Sequence, residues 1–181
     1  MVALTLGMVA FIALHLIPGT AVRDKLAGAL GETLYKALFA LASLAALVAV
    51  GWGETQSGYV SVWLPPVWTR HLAPLMMLAS CYLMVTYLLG GKLKGLTPNP
   101  MLWSVVIWAV AHLLANGDLA SLILFGGFTL YSLLAIARSR SQRRTDYTGR
   151  HELLVAVVAL TVYVGLLLAH PYLFGVAVMG R

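Results

Sequence analysis

The sequence predicts an all-α, polytopic integral membrane protein built as a six-helix transmembrane bundle. Three observations support this fold class: 61% of the 181 residues are hydrophobic, only 10% are charged, and long apolar runs recur along the whole chain. Soluble domains carry about 25% charged residues. Because no segment between the apolar runs is long enough to bury a core of its own, we expect residues 1–181 to form a single transmembrane domain.

Six apolar runs approach the roughly 20 residues that an α-helix needs to cross a bilayer. The first begins at Val2 with no basic segment before it, which favours a membrane span over a cleavable signal peptide. The turn Asn116-Gly117-Asp118 separates the fourth and fifth runs so closely that their helices are predicted to form an antiparallel hairpin. The predicted spans cover residues 2–19, 33–52, 71–89, 100–116, 119–137 and 153–172.

The basic residues predict an orientation in the membrane. Cytoplasmic loops carry an excess of Lys and Arg, and ten of the twelve basic residues fall in three alternate loops. We therefore expect both termini to lie outside the cytoplasm and the basic loops to lie inside it, against anionic lipid rather than nucleic acid. The ten residues are Arg23, Lys25 and Lys36 in the first basic loop, Lys92 and Lys94 in the second, and Arg138, Arg140, Arg143, Arg144 and Arg150 in the third.

Several classes of function find no support in the sequence. Cys81 is the only cysteine, so neither an intramolecular disulfide nor a CxxC redox or metal site is expected. The GxSxG nucleophile motif, the P-loop and HExxH are absent. None of the six acidic residues falls inside a predicted span, which argues against a proton-coupled transporter with a buried carboxylate.

The segment Pro98–Asp118, PNPMLWSVVIWAVAHLLANGD, carries the strongest functional signal. Pro98 and Pro100 mark the start of its helix, and His112 is predicted to lie well away from either end. An imidazole inside an apolar span needs a partner for each ring nitrogen, and neutral imidazole is a common metal ligand. Two interpretations follow. Either His112 is an axial ligand of a haem held between helices, or it is a packing residue hydrogen-bonded to a neighbouring helix.

His15 is the second histidine predicted to lie deep within a span. Counting 1.5 Å per residue places His15 ~12 Å from Arg23 along its helix and His112 ~18 Å from Pro100. Both rings are therefore expected in the middle third of the bilayer. Two imidazoles at similar depth on different helices suit a b-type haem, whose iron would take both as axial ligands.

Other residues are candidates for parts of the same site. Trp108 and Asn116 lie one helical turn before and after His112, and Arg23 is a candidate to pair with a haem propionate, as are the arginines of the third basic loop. The histidines near the predicted interfaces are more typical of exposed or capping residues. They are His71, His151 and His170, and the cluster of Arg70, His71 and His170 is the main rival site.

The stretch Leu102–Gly126, with its element WAVAHLLANGD, closely resembles the signature of the NnrU family of bacterial membrane proteins. The likeness extends upstream through His15, Pro18-Gly19 and Arg23 and covers essentially the whole chain. It implies a bacterial membrane protein that is linked to denitrification and nitric oxide metabolism. Together with the charge pattern, this predicts a protein of the inner membrane with both termini in the periplasm.

The family is also similar to the plastid 15-cis-zeta-carotene isomerase, a membrane enzyme that contains haem b. That similarity implies that His15 and His112 are the axial ligands of the haem iron. The isomerase also has an Arg-His-Pro triplet upstream of its second ligand, and Pro98-Asn99-Pro100 stands at that position here. Haem binding is therefore expected, whereas isomerase chemistry is in doubt.

Three functional hypotheses remain open from the sequence. A six-coordinate bis-histidine haem passes electrons and has no open coordination site, so it suits a redox or sensing component with a redox partner or nitric oxide as its counterpart. Release of one ligand would let the iron bind nitric oxide or act as a Lewis acid on a polyene, as in an isomerase. The third hypothesis is a membrane accessory factor for nitric oxide reductase that holds no cofactor. The sequence does not indicate an oligomeric state.

Overall fold

The computed structural model describes residues 1–95, 97, 99–139, 146–176 and 178. These residues form seven α-helices and one short 3-10 helix, and they contain no β-strand. The predictions that rest on Pro98, Arg140, Arg143, Arg144 and Arg181 lie outside the described residues. The α-helices are α1 (Val2–Leu16), α2 (Ala21–Leu30), α3 (Glu32–Thr55), α4 (Thr69–Leu89), α5 (Pro100–Ala115), α6 (Leu119–Arg138) and α7 (Gly149–Phe174), and the 3-10 helix covers Lys92–Gly95.

The all-α class is confirmed, whereas the count of six helices is not. The extra helix is α2, which lies in the segment predicted to be the first basic loop. It is separate from α1 because the helical backbone is interrupted at Pro18 and Gly19. Gly19 adopts a φ of +78°, which other residues rarely tolerate. Each of the other six helices overlaps one predicted span.

The helices are consistent with a multi-pass membrane protein. Within the described residues, α3, α4, α6 and α7 are long and apolar enough to cross a bilayer, and a fifth crossing is reached if α1 and α2 count as one broken span. Helix α5 has 16 residues. At 1.5 Å per residue it is ~24 Å long, which is short of a hydrocarbon core of about 30 Å.

The chain packs as two compact units. Unit 1 contains residues 1–64 and 117–127, and it is built on the antiparallel pair α1 and α3. Gly53 and Gly7 let the two backbones approach closely, since a Cβ added at Gly53 would come within 2.7 Å of the Cα of Leu4. At the same end, the amino group of Met1 donates a hydrogen bond to Ser57 Oγ at 2.9 Å.

Unit 2 contains residues 65–116 and 128–181, and α4 is its central helix. Helix α4 packs against α5 and α7. The hydroxyl of Ser80 donates to the backbone carbonyl of Ser104 at 2.8 Å, and the hydroxyl of Thr69 lies 2.6 Å from the carbonyl of Leu114. Because higher numbers on α4 meet lower numbers on α5, these two helices run antiparallel. Both contacts pair a buried hydroxyl with a carbonyl, which removes the cost of an unpaired polar group in an apolar interior.

A polar contact joins the start of α7 to the end of α4. Glu152 Oε1 accepts a hydrogen bond from the backbone N–H of Lys92 at 2.9 Å, and Glu152 Oε2 accepts one from the hydroxyl of Tyr82 at 3.3 Å. Beside it, the Nε2–H of His151 donates to the backbone carbonyl of Gly90 at 3.3 Å. Glu152 therefore links the start of α7 to the end of α4.

Replacing Glu152 with Ala is expected to lower the free energy of unfolding by about 1–2 kcal/mol, because it leaves a backbone N–H and a phenol without their acceptor. Thermal unfolding of the detergent-solubilised protein measures this change. Glu54→Ala is the matched control, since Glu54 is exposed near the end of α3 and its side chain makes no described hydrogen bond. Equal melting temperatures for the two variants would contradict the role given to Glu152.

Candidate functional site

His112 lies in the last turn of α5, so the prediction that it lies well away from either end of its helix is wrong. The helix begins after Asn99, whose side chain accepts a hydrogen bond from the N–H of Leu102 at 3.3 Å, and it ends at Ala115. Asn116 then turns to an extended conformation, and its backbone N–H and its Nδ2 both donate to the carbonyl of His112 at 2.9 Å. The helix ends one residue before the predicted bound at Asn116, and His112 lies three residues before that end.

The imidazole of His112 is oriented by its own helix. Its Nδ1 lies 2.8 Å from the backbone carbonyl of Trp108, and since a carbonyl only accepts, Nδ1 carries the proton of this bond. In the neutral ring the lone pair is then on Nε2. The indole of Trp108 lies with its centroid 5.3 Å from that of the imidazole, and the ring of Phe128 meets the indole edge-on at 5.6 Å. Trp108 is therefore a neighbour of His112, as predicted.

His15 repeats this local arrangement at the end of α1. It also lies in the last turn of its helix, and its Nδ1 lies 2.9 Å from the backbone carbonyl of Phe11, one turn earlier. The ring of Phe11 stacks on the imidazole at 4.0 Å, and Phe39 of α3 meets it edge-on at 5.4 Å. Two apolar helices thus end in the same way, each with an aromatic residue one turn before a histidine whose lone pair is on Nε2.

The sequence placed His170 in the rival site and did not predict that it lies beside His112. Its imidazole lies 6.4 Å from that of His112, with the two ring planes 26° apart, and its Nδ1 lies 2.8 Å from the backbone carbonyl of Val176. The rival site grouped His170 with Arg70 and His71, both of which are exposed at the start of α4. The sequence did contain an indication that His112 and His170 lie close together. The predicted topology has α5 and α7 running in the same direction, and each carries a histidine within about one turn of its end.

Arg23 is engaged by the protein's own acidic and aromatic side chains. Its guanidinium forms an ion pair with Glu32 and a longer one of 3.4 Å with Asp24, and it lies 5.5 Å from the ring centre of Tyr35. These contacts hold Arg23 at the corner between α2 and α3. Its predicted pairing with a haem propionate would compete with them, and that pairing stays a prediction.

Comparison with known proteins gives the family. The family model described as "NnrU protein" matches residues 3–178. The chain belongs to the NnrU family. No curated protein and no solved structure matches the chain.

In this NnrU chain, Asn99 is the residue that the resemblance to the isomerase pairs with a histidine. Its side-chain oxygen caps the first turn of α5 through Leu102. An amide neither donates nor takes up a proton near neutral pH, so Asn99 does not substitute for a histidine in acid–base chemistry. The residue has a structural role that its sequence position already indicates, because Asn is among the best N-cap residues.

The histidines of the NnrU chain offer imidazole nitrogens as possible metal donors. Among the described residues there is no group of three or more His, Cys, Asp or Glu side chains that would hold a bare metal ion. A porphyrin supplies four nitrogen ligands itself, so its iron needs only axial ligands from the protein. His15 and His112, with Nδ1 bonded to a carbonyl and aromatic rings beside them, have the hydrogen bonding that commonly orients a metal-ligating histidine. Each histidine, taken within its own unit, therefore has the donor chemistry of an axial haem ligand.

Proposed function

We propose that this NnrU-family protein is an integral membrane haem b protein of the bacterial inner membrane, with His15 and His112 as the axial ligands. The observation that carries the proposal is the shared arrangement at the ends of α1 and α5. In each case Nδ1 is bonded to a backbone carbonyl one turn earlier, so the lone pair of the neutral ring is on Nε2, the nitrogen through which such a histidine binds a metal. The same bond between Nδ1 and a carbonyl occurs at the ends of two apolar helices. This repetition supports the proposal that both histidines bind one group.

When bound, a bis-histidine haem supplies one-electron chemistry without an open site for substrate. The protein's own residues orient and shield the ligands. The Trp108 carbonyl sets the tautomer of His112, and Asn116 holds the last turn of α5 by donating twice to the carbonyl of His112. The function that fits best is a redox or sensing component of denitrification or nitric oxide metabolism, with a redox partner or nitric oxide as its counterpart.

The alternative of a haem-dependent polyene isomerase has less support, because Asn99 caps a helix where the isomerase has a histidine. The alternative of an accessory factor without cofactor predicts that His15 and His112 only pack. The absorption spectrum separates these alternatives. Protein purified in mild detergent from haem-replete cells is expected to show a Soret band and sharp α and β bands on reduction, and a colourless protein would favour the accessory factor.

The variant His15→Ala tests the second ligand. It is expected to retain part of the haem in five-coordinate form, so the Soret band shifts and the reduced protein binds carbon monoxide, which the six-coordinate parent does not. His71→Ala, which alters an exposed histidine of α4, is the matched control. A bis-histidine spectrum that survives His15→Ala but is lost in His170→Ala would contradict the assignment and give the second position to His170.

A further inference from the structure

Helix α2 connects α1 to α3 at the end where His15 lies. Helices α1 and α3 run antiparallel, because Gly53 packs against Leu4 at one end and Phe39 contacts His15 at the other. Helix α3 is long and apolar enough to cross a bilayer, and α2 is bent by 85° from α1. A helix nearly perpendicular to two antiparallel helices, one of them long enough to cross the bilayer, lies nearly parallel to the membrane surface. This geometry lies entirely within unit 1.

The surface of α2 is amphipathic, and its apolar side is exposed. Val22, Leu26 and Leu30 are spaced by four residues, so they form one stripe along the helix. They are 54%, 38% and 41% exposed, and no residue of α2 is buried. Asp24 and Gly28 lie on the opposite side of the helix. The stripe is therefore an apolar surface that the described part of the protein leaves uncovered.

Cationic residues flank the stripe. Arg23 and Lys25 lie on its two flanks, which is where cationic residues of interfacial helices reach phosphate groups. Arg23 is paired with Glu32, and Lys36 lies 3.3 Å from Glu32 on the first turns of α3. Lys25 forms no ion pair with another described residue, so its ammonium is available to a headgroup.

We propose that α2 is an interfacial helix and that its stripe of Val22, Leu26 and Leu30 lies at the boundary between the headgroups and the acyl chains of the bilayer. Phospholipid is the occupant that the geometry selects, because a helix in the membrane plane at the end of a span has acyl chains on one side and water on the other. A re-entrant arrangement would instead bring Asp24 and Lys25 into the acyl region, at a cost of roughly 2.5–3.5 kcal/mol for each charge.

This placement has a consequence for α1. Only residues 17–20 separate the last turn of α1, which carries His15, from the first residue of α2. An α2 that is held in the interface therefore anchors the end of α1 at a fixed depth. The proposal does not depend on haem, since it rests on the direction, exposure and charge of α2 alone.

Site-directed spin labelling of the full chain in phospholipid vesicles tests the proposal. Single cysteines replace Val22, Leu26 and Leu30 on the stripe, and Asp24 and Gly28 on the opposite side. Gly28 is a suitable control because a Cβ there meets no atom within 4 Å. The unmodified protein is the labelling blank, since its only cysteine, Cys81, is buried. Labels on the stripe are expected to collide more with oxygen than with a water-soluble nickel chelate, and labels at 24 and 28 the reverse.

Three outcomes would overturn the proposal. Stripe labels that collide mainly with the nickel chelate would place α2 in water, and stripe labels shielded from both reagents would show that another protein or a second copy covers the stripe. Equal oxygen exposure on both sides of α2 would indicate a re-entrant segment. Each stripe position reports independently, so a variant that fails to fold still leaves two readings.

Discussion

The variant His112→Ala is expected to lower the haem content of the purified protein by at least ~10-fold. Groups that merely orient a metal ligand change metal affinity by about 10–100-fold when they are removed, and removal of the ligand itself should cost no less. His112 combines an Nδ1 bonded to a backbone carbonyl with an aromatic neighbour one turn away. The Soret absorbance per mole of protein, with a pyridine haemochrome assay for total haem, measures the loss.

The controls separate loss of a ligand from loss of the fold. Far-UV circular dichroism and gel filtration should be unchanged in His112→Ala, because an Ala residue is a good helix former in the last turn of α5. Added imidazole should restore part of the Soret band by filling the space of the missing ring. Trp108→Phe keeps the backbone carbonyl that binds Nδ1 and should retain the haem. An unchanged spectrum in His112→Ala would rule out His112 as a ligand.

The variant Gly53→Ala is expected to lower the free energy of unfolding by about 1–3 kcal/mol, the usual cost of overpacking a tight interface. The new Cβ would clash with the backbone of α1, where it would come within 2.7 Å of Leu4 Cα and 2.8 Å of the carbonyl carbon of Ala3. These are backbone atoms, which cannot rotate away as a flexible side chain does. The helices α1 and α3 must therefore move apart along their whole contact.

Gly51→Ala is the matched control on the same helix. A Cβ at Gly51 meets no atom within 4 Å, so the change should be neutral or should stabilise α3 by up to about 1 kcal/mol through helix propensity. Denaturant unfolding in detergent, followed by circular dichroism, gives both values. The two substitutions are chemically identical and lie two residues apart, so opposite signs would establish close α1–α3 packing. Equal effects would show that Gly53 does not lie in a tight interface.

Much of the helical framework followed from hydropathy. The predicted spans 33–52 and 71–89 correspond to Glu32–Thr55 and Thr69–Leu89, and the span 119–137 corresponds to Leu119–Arg138. Long apolar runs predict helices well because a backbone in lipid must satisfy its own hydrogen bonds. The pairing of His112 with Trp108 and Asn116 was also predictable, because residues four apart on a helix are neighbours.

Other features depended on chain direction and on contacts that hydropathy does not encode. The break at Gly19 turns the expected loop into the separate helix α2. The stacking of His170 on His112 joins residues 58 positions apart, and the pairing of Arg23 with Glu32 joins two helices at a corner. Each is decided by how helices pack or turn.

The sequence by itself determined the membrane class, the family and the two histidines that we propose as ligands, because composition, motif and periodicity are local properties of the chain. Only the tertiary structure decided that Nδ1 of each histidine is bonded to a carbonyl, that His170 stacks on His112, and that α2 turns by 85° from α1. The physical reason is that rotamers, ring contacts and helix directions result from packing among many residues, and no short stretch of sequence specifies them alone.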